Sequence, residues 1–385
     1  FIIMFSIISS GMVSVMTQNI GAGRPGVAYQ ARQLGLLFNA VAGVLMAVFL
    51  FSGAGAILRM VGIADALYEP ALIYLKIVGG GCILNAVIPI FSSYLRAFGY
   101  TKQPLYATIV GNIANFVMNA VFLFVLHKGV AGVATATVIS KILNLCIVLY
   151  FSHKLISAKN STERIANKTV LGQIVKVGLP SACETALYNV AMMLVIRFLN
   201  QMDAEGLNVT ARSYTATISN FSYCVGAALA QANAIMTGWH IGAGELEECD
   251  RGTKRAAFVG VCVAVCMETA IVLGSGFIMP LFTDNPEMTA LVRKLLAIDI
   301  VLEIGRVTNL VFGQALKTSG DAVFPAVIAA VFMFVFAVGG TWLFGISMGL
   351  MAVGAYIGLA SDECVRAVGM VWRWKTGKWR TKKLV

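Results

Sequence analysis

Apolar runs of membrane length follow one another along this chain, separated only by short polar breaks. They predict helices over residues 1–18, 28–58, 68–95, 104–126, 130–153, 171–200, 206–237, 253–281, 288–315, 323–345 and 349–373. Within each run the apolar residues are continuous and do not alternate, which fits helices and not the strands of a membrane barrel. A helix needs roughly 20 apolar residues to cross a bilayer, so the pattern predicts about eleven spans. The expected fold class is an all-α polytopic membrane protein.

The breaks differ in charge. Counted from the first, the odd ones read "GAGRPGVAYQAR", "RAFGYTKQP", "HKLISAKNSTERIANK", a stretch with Arg251, Lys254 and Arg255, and "KTSGD"; the chain ends in "WRWKTGKWRTKKLV". The even ones read "RMVGIADALYEP", "HKG", "QMDAEG", "TDNPE" and "GISMG". Loops rich in Lys and Arg stay on the cytoplasmic side. The expectation is a multi-pass protein of a bacterial cytoplasmic (inner) membrane, with its C-terminus in the cytoplasm. The end of the chain reads as a basic, solvated tail whose Trp residues face lipid.

Ile-Gly-Ala-Gly occurs at Ile20–Gly23 and again at Ile241–Gly244, 221 positions later. At the same offset Gly53 and Gly55 meet Gly274 and Gly276, Gly99 meets Gly320, and Pro104 meets Pro325. A shared offset over that length indicates an internal duplication. Corresponding loops carry the same charge, so the halves are parallel. Two parallel six-helix repeats are therefore expected. The counterpart of helix 171–200 falls upstream of Phe1, so a first helix, about 50 residues with its connection, is expected to be missing there. The organisation reads as an N-terminal lobe (1–155) without its first helix, a cytoplasmic linker (156–170), a C-terminal lobe (171–373) and a basic tail (374–385).

Composition narrows the class. Charged residues make up 12% and hydrophobic residues 58%, with a mean hydropathy of +0.82, against about 25% charged residues in soluble domains. The net charge of +11 resides largely in alternate loops and the tail and forms no soluble basic face, so no nucleic-acid partner is expected. The eight cysteines show no CxxC spacing and read as small buried hydrophobes. His127, His153 and His240 lie far apart, so no histidine metal site is expected. No HExxH, nucleophile elbow or Walker loop sits in a plausible setting, which argues against an enzyme.

The stretches "QNIGAGR", "LRAFGYTKQP", "VGLPSACETALYNV", "LEIGRVTNLVFGQALKTSGD" and "SDECVRAVGMVWRWKTGKW", set in a doubled bundle, resemble the multidrug and toxic compound extrusion (MATE) transporters. The resemblance covers essentially the whole chain. It implies an antiporter that exports amphiphilic, often cationic compounds in exchange for entering H⁺ or Na⁺ by alternating access, with no further cofactor. A monomer in contact with membrane lipid is expected. A flippase for lipid-linked sugars shares the architecture and stays open as the alternative.

Charged side chains in a bilayer are costly and therefore functional candidates. Between residues 1 and 160 the carboxylates are Asp65 and Glu69, both at an outer loop. The second half has Glu184, Glu268, Asp299, Glu303, Asp362 and Glu363 in or near spans. Glu184 leads, because it follows Pro180 by one turn and has Ser181, Thr185, Tyr188 and Asn189 nearby as oxygen donors for a proton or a Na⁺ ion. The family carries an acid on the corresponding helix, in one branch at the position of Tyr188. Glu303 and Arg306 form an i,i+3 pair with Asn309 one turn on, either coupling transport or merely neutralising each other. Some relatives have an aspartate where counting back from Lys317 finds Arg306. Asp362, Glu363 and Arg366 read as a cluster fixing the end of the last helix, and Glu268 and Asp299 as single acids without evident partners. The first half offers the stripe Asn112, Asn115 and Asn119, and Lys141 on the next helix, as cavity lining or interhelical glue. Lys141 needs a partner that the visible half does not supply. Met192, Met193, Phe221, Tyr223 and Phe312 are candidates for adaptable substrate contacts.

Overall fold

The computed structural model describes residues 2–156, 163–203 and 205–385. The helices are α1 (Ile2–Gly21), α2 (Pro25–Val61), α3 (Asp65–Gly80), α4 (Cys82–Ala97), α5 (Lys102–Ala120), α6 (Gly129–Leu155), α7 (Asn167–Met202), α8 (Leu207–Ala243), α9 (Leu246–Ile278), α10 (Pro286–Ser319), α11 (Val323–Phe332) and α12 (Met351–Lys375). Among the described residues there is no strand, and each predicted apolar run is helical. One run expected as a single helix, 68–95, is two. Gly79, Gly80 and Gly81 stand in succession there, and each glycine weakens a helix by about 1 kcal/mol, so α3 stops and α4 restarts. The runs ending near 126 and 345 finish in wide π-helical turns, Val121–Val125 and Thr341–Ser347.

Seven described helical stretches are long and apolar enough to cross a membrane: Pro25–Met60, Asp65–Ala97, Lys102–Val125, Gly129–Leu155, Asn167–Met202, Leu246–Leu281 and Val323–Ser347. Helices α8, α10 and α12 are also long but more polar. They carry their polar residues inward: Ser219, Ser222, Asp299, Glu303, Asp362, Glu363 and Arg366 are all buried. The outward faces are apolar, as at Phe221 and Val225 on α8, Val301 on α10 and Val368 on α12. A helix whose polar stripe is covered by neighbours can be polar without meeting hydrocarbon.

The chain divides into two compact units, residues 1–178 and 179–385. The division falls inside α7 and not in the expected linker. Of that linker, residues 157–162 lie outside the described residues. Its later part is tied to the first unit. Gln30 of α2 donates to the Ile165 carbonyl at 2.7 Å and to the Asn167 side chain. Gly11 of α1 lies so close to Ile174 that a Cβ on it would meet that carbonyl oxygen at 2.0 Å. The first turns of α7 thus pack as part of the first unit.

Local geometry repeats at the offset of 221 for Gly23 and Gly244, and at 222, one residue later, for Gly132 and Gly354 with their phenylalanine neighbours. Gly23 and Gly244 end their helices in the left-handed region, at φ 75° and 81°. Gly132 abuts Phe122, and Gly354 abuts Phe344. Both phenylalanines sit on the π-helical turns.

The C-terminal segment departs from expectation. Trp374 and Trp379 are buried and stack at 4.2 Å between centroids. Each indole N–H has an acceptor: Asp250 Oδ1 at 2.7 Å for Trp374, and the Trp374 carbonyl at 3.1 Å for Trp379. A Trp whose N–H is satisfied contributes a large apolar area to a core. Only Trp372 of the three faces outward. Residues 374–385 therefore close the end of the second unit, held also by Arg380 to Glu247 at 2.7 Å.

Helix α10 is the hub of the second unit, packing on α8, α9 and α12. At Gly305 it touches α12 directly, since a Cβ there would meet the Cys364 backbone nitrogen at 2.7 Å. Gly305→Ala is expected to push the two helices apart at a cost of about 1–3 kcal/mol, read as a lower unfolding temperature of the purified protein. An unchanged unfolding temperature contradicts this packing.

Candidate functional site

Asp299, Glu303, Arg306 and Asn309 lie four, three and three residues apart on α10, a spacing that aligns them on one helix face. Opposite them, α9 contributes Glu268 and α12 contributes Asp362, Glu363 and Arg366. One carboxylate oxygen each of Glu268, Asp299 and Glu303 lies within 4.8 Å of the other two, and all three residues are buried. Both oxygens of Glu268, Oδ2 of Asp299 and Oε2 of Glu303 have no hydrogen-bond partner. The buried Ser222 and Ser219 hydroxyls of α8 lie beside Glu268 and Asp299, placed to donate to them.

A chain of charges runs from this cluster. Arg306 pairs with Glu303 and stands 3.7 Å from Glu363. Glu363 also accepts from Asn309 Nδ2 at 3.0 Å and pairs with Arg366 at 2.9 Å. Arg366 in turn forks onto Asp362, with Nη2 to Oδ2 at 2.8 Å. The two pairs read separately from the sequence form one network. A cavity of about 290 Å³ opens on it within the second unit, lined by Arg306, Asp299 and Glu363 together with Tyr188, Tyr223 and Arg212. The Arg306 guanidinium lies 5.7 Å from the centroid of the Tyr223 ring.

The other expected site residues distribute as follows. Met192 and Tyr188 line this cavity. Asn189 and Met193 are exposed, and Asn189 donates to the carbonyl of Thr185 on its own helix. Phe312 is not cavity lining. It is buried in the core and meets Trp374 edge-on at 5.9 Å. Phe221 is exposed at 71% and lies outside the cavity lining. Glu184 is not one of the three clustered carboxylates: its Oε2 lies 2.8 Å from Lys317 Nζ in the last turn of α10, and it is a charged neighbour of Arg366 at the end of the network. The Thr185 hydroxyl donates to the Ser181 carbonyl and the Asn189 amide to the Thr185 carbonyl, so these two side chains bond to their own helix. A lysine ammonium thus stands where the sequence suggested a Na⁺ ion.

In the first unit the asparagine stripe bonds mainly to itself and to α6. Asn119 donates to Asn115 at 3.1 Å, and Asn115 to Ser140 at 3.3 Å, while Asn112 is exposed. Lys141 finds a partner that the sequence did not suggest, donating to Asn85 Oδ1 on α4 at 2.8 Å.

Bundled apolar helices around a polar cavity and buried paired charges define the class: a polytopic all-α membrane protein. The MatE family model matches residues 1–121 and 180–343. An uncharacterized transporter of Bacillus subtilis, YisQ, is 31% identical over 99% of this chain and 85% of its own length. The chain belongs to the MatE family. Its fold matches that of a MATE crystal structure in the straight conformation, at TM-score 0.87 and 20% identity over 98% of this chain and 85% of that one. It also matches an outward-facing multidrug resistance MATE transporter of the MOP superfamily, at TM-score 0.87 and 19% identity over 99% and 86%.

Arg306→Met leaves Glu303 fully buried without its guanidinium. Breaking a buried pair by removing one partner costs roughly 3–5 kcal/mol, so a clear fall in unfolding temperature is expected. Adding Glu303→Gln should recover part of it. Equal stability of Arg306→Met and the unsubstituted protein contradicts the network.

Proposed function

We propose that the protein is a secondary antiporter that exports amphiphilic, cationic compounds in exchange for entering H⁺ or Na⁺ by alternating access. It works in the cytoplasmic membrane of a bacterium, with the basic loops and the C-terminus inside. The observation that carries this reading is the packing of Glu268, Asp299 and Glu303 within 4.8 Å of one another. At an effective dielectric constant of about 20, two like charges at that separation repel by about 3 kcal/mol. Arg306 is the one guanidinium paired within the cluster, and it is shared with Glu363. An arriving cation relieves the repulsion, and its departure restores it. Three carboxylates with two serine hydroxyls can accept a proton or coordinate a Na⁺ ion.

Binding of the ion is linked to the cavity through α10, because Asp299 and Arg306 line the cavity while Glu303 lies behind it. An ion that changes how Arg306 is shared between Glu303 and Glu363 also changes the cavity wall. That is the differential interaction that alternating access requires. Entry of one cation through 100 mV supplies about 2.3 kcal/mol, enough for roughly a fortyfold gradient of a neutral substrate. The acids lining the cavity (Asp299, Asp362, Glu363) are no fewer than its arginines. That balance supports the antiport reading over a pyrophosphate-lipid flippase, which calls for a cationic excess.

Glu268→Gln is expected to abolish dye efflux driven by an imposed H⁺ or Na⁺ gradient in proteoliposomes, while dye binding changes less than about threefold. Glu184→Gln is expected to retain gradient-driven efflux. The reverse pattern, with Glu184 essential and Glu268 dispensable, would return the coupling role to α7.

A further inference from the structure

Arg212 stands on the second turn of α8 and lines the cavity. Among the described residues it forms no ion pair; the polar contact that the structure gives it is Met192 Sδ at 3.7 Å. The other two arginines of this region are engaged, Arg306 by Glu303 and Glu363, and Arg366 by Asp362 and Glu363. Asp299 has Glu268 and Glu303 within 4.8 Å and Arg306 and Glu363 as further charged neighbours, and it forms no ion pair with Arg212. Around Arg212 stand instead the phenols of Tyr188 and Tyr356, both on the cavity wall.

A guanidinium on the wall of a cavity inside a helix bundle ordinarily pairs with a carboxylate of its own protein, because an unpaired one is costly. Its planar fork matches a carboxylate in two parallel hydrogen bonds. The remaining cavity wall is aromatic and soft, with Tyr188, Tyr223, Tyr356 and Met192. At about 290 Å³ the cavity admits a compact ring system but no acyl-chain lipid.

We infer that Arg212 is a specificity determinant that takes the carboxylate of an aromatic amphiphile, so that among the amphiphiles bearing a positive charge that the proposed function exports, the cavity prefers those that also carry a carboxylate. The ring system lies among Tyr188, Tyr223 and Met192. The ammonium end points toward Asp299 and Glu363 on the far wall. This inference rests on the proposed function, since it takes the same cavity as the place where substrate binds.

A matched pair of dyes tests it: a rhodamine with a free carboxylate, which is zwitterionic near neutral pH, and its methyl ester, which is a cation with the same chromophore. Fluorescence polarisation with the full chain in nanodiscs of neutral lipid reads both affinities. The carboxylate dye is expected to bind about tenfold more tightly than the ester. Arg212→Gln should remove that difference while changing ester affinity less than about twofold, and Arg212→Lys should keep part of it. Equal binding of the two dyes by the unsubstituted protein overturns the inference, and so does a preference that survives Arg212→Gln. If Arg212→Gln does not fold, the dye comparison in the unsubstituted protein and in Arg212→Lys still decides. A further arm replaces neutral lipid with phosphatidylglycerol. Displacement of the carboxylate dye alone by that lipid would assign Arg212 to a headgroup and overturn the proposal. The carboxylate preference without gradient-driven efflux sinks the antiport reading alone. Efflux without the preference sinks this inference alone.

Discussion

Buried carboxylates without enough positive charge around them set the terms for the second unit. Glu268, Asp299 and Glu303 come from helices that pack side by side, and hydrocarbon offers none of them an alternative partner. Helix α10 must therefore face three neighbours at once. It turns Asp299 and Glu303 to α9 and α8, and Arg306 and Asn309 to α12. Gly305 lets α12 come close enough for Glu363 to reach Arg306 and Asn309. The glycine, the charge network and the cavity follow from one demand, that charge be kept from lipid. A fully neutralised network would be stable and inert. This one leaves carboxylate oxygens unpartnered, which favours uptake of a cation.

The two units answer that demand differently. The first has amides where the second has acids. Its stripe of Asn115 and Asn119 bonds to neighbours that are already neutral, and Lys141 rests on Asn85. Such groups hold helices together and line polar space, but they have no charge deficit to fill. The asymmetry fits a duplicated bundle in which ion coupling is concentrated in one copy. The C-terminal segment adds to the same unit, since Trp374 and Trp379 close it from one end and bring Asp250 into a satisfied bond.

Much of the fold was legible in the sequence because lipid imposes continuous apolar runs, and each run is helical. The break at Gly81 was not, because glycines inside an apolar run also serve close helix contacts. The repeat was legible through Gly23 and Gly244, whose shared left-handed conformation requires the same residue twice. The site was half legible. Glu303 and Arg306 stood out as neighbours on one helix. The i,i+4 spacing of Asp299 and Glu303 carried the same kind of signal and was passed over. Glu268 could not be joined to them, because α9 and α10 meet only in three dimensions. Glu184 drew attention through Pro180, yet its partner Lys317 lies 133 positions away. Trp374 and Trp379 read as lipid-facing because basic residues surround them, and the acceptor that lets Trp374 be buried, Asp250, lies on another helix.

The central claim is that the three-carboxylate cluster takes up the driving ion. Infrared difference spectroscopy of the purified protein, recorded on addition of H⁺ or Na⁺, observes those carboxyl groups directly. The expected result is a change in the carboxyl stretching region that Glu268→Gln diminishes and that Glu268→Gln, Asp299→Asn and Glu303→Gln together abolish. An ion-induced change that persists undiminished in the triple variant would contradict the claim.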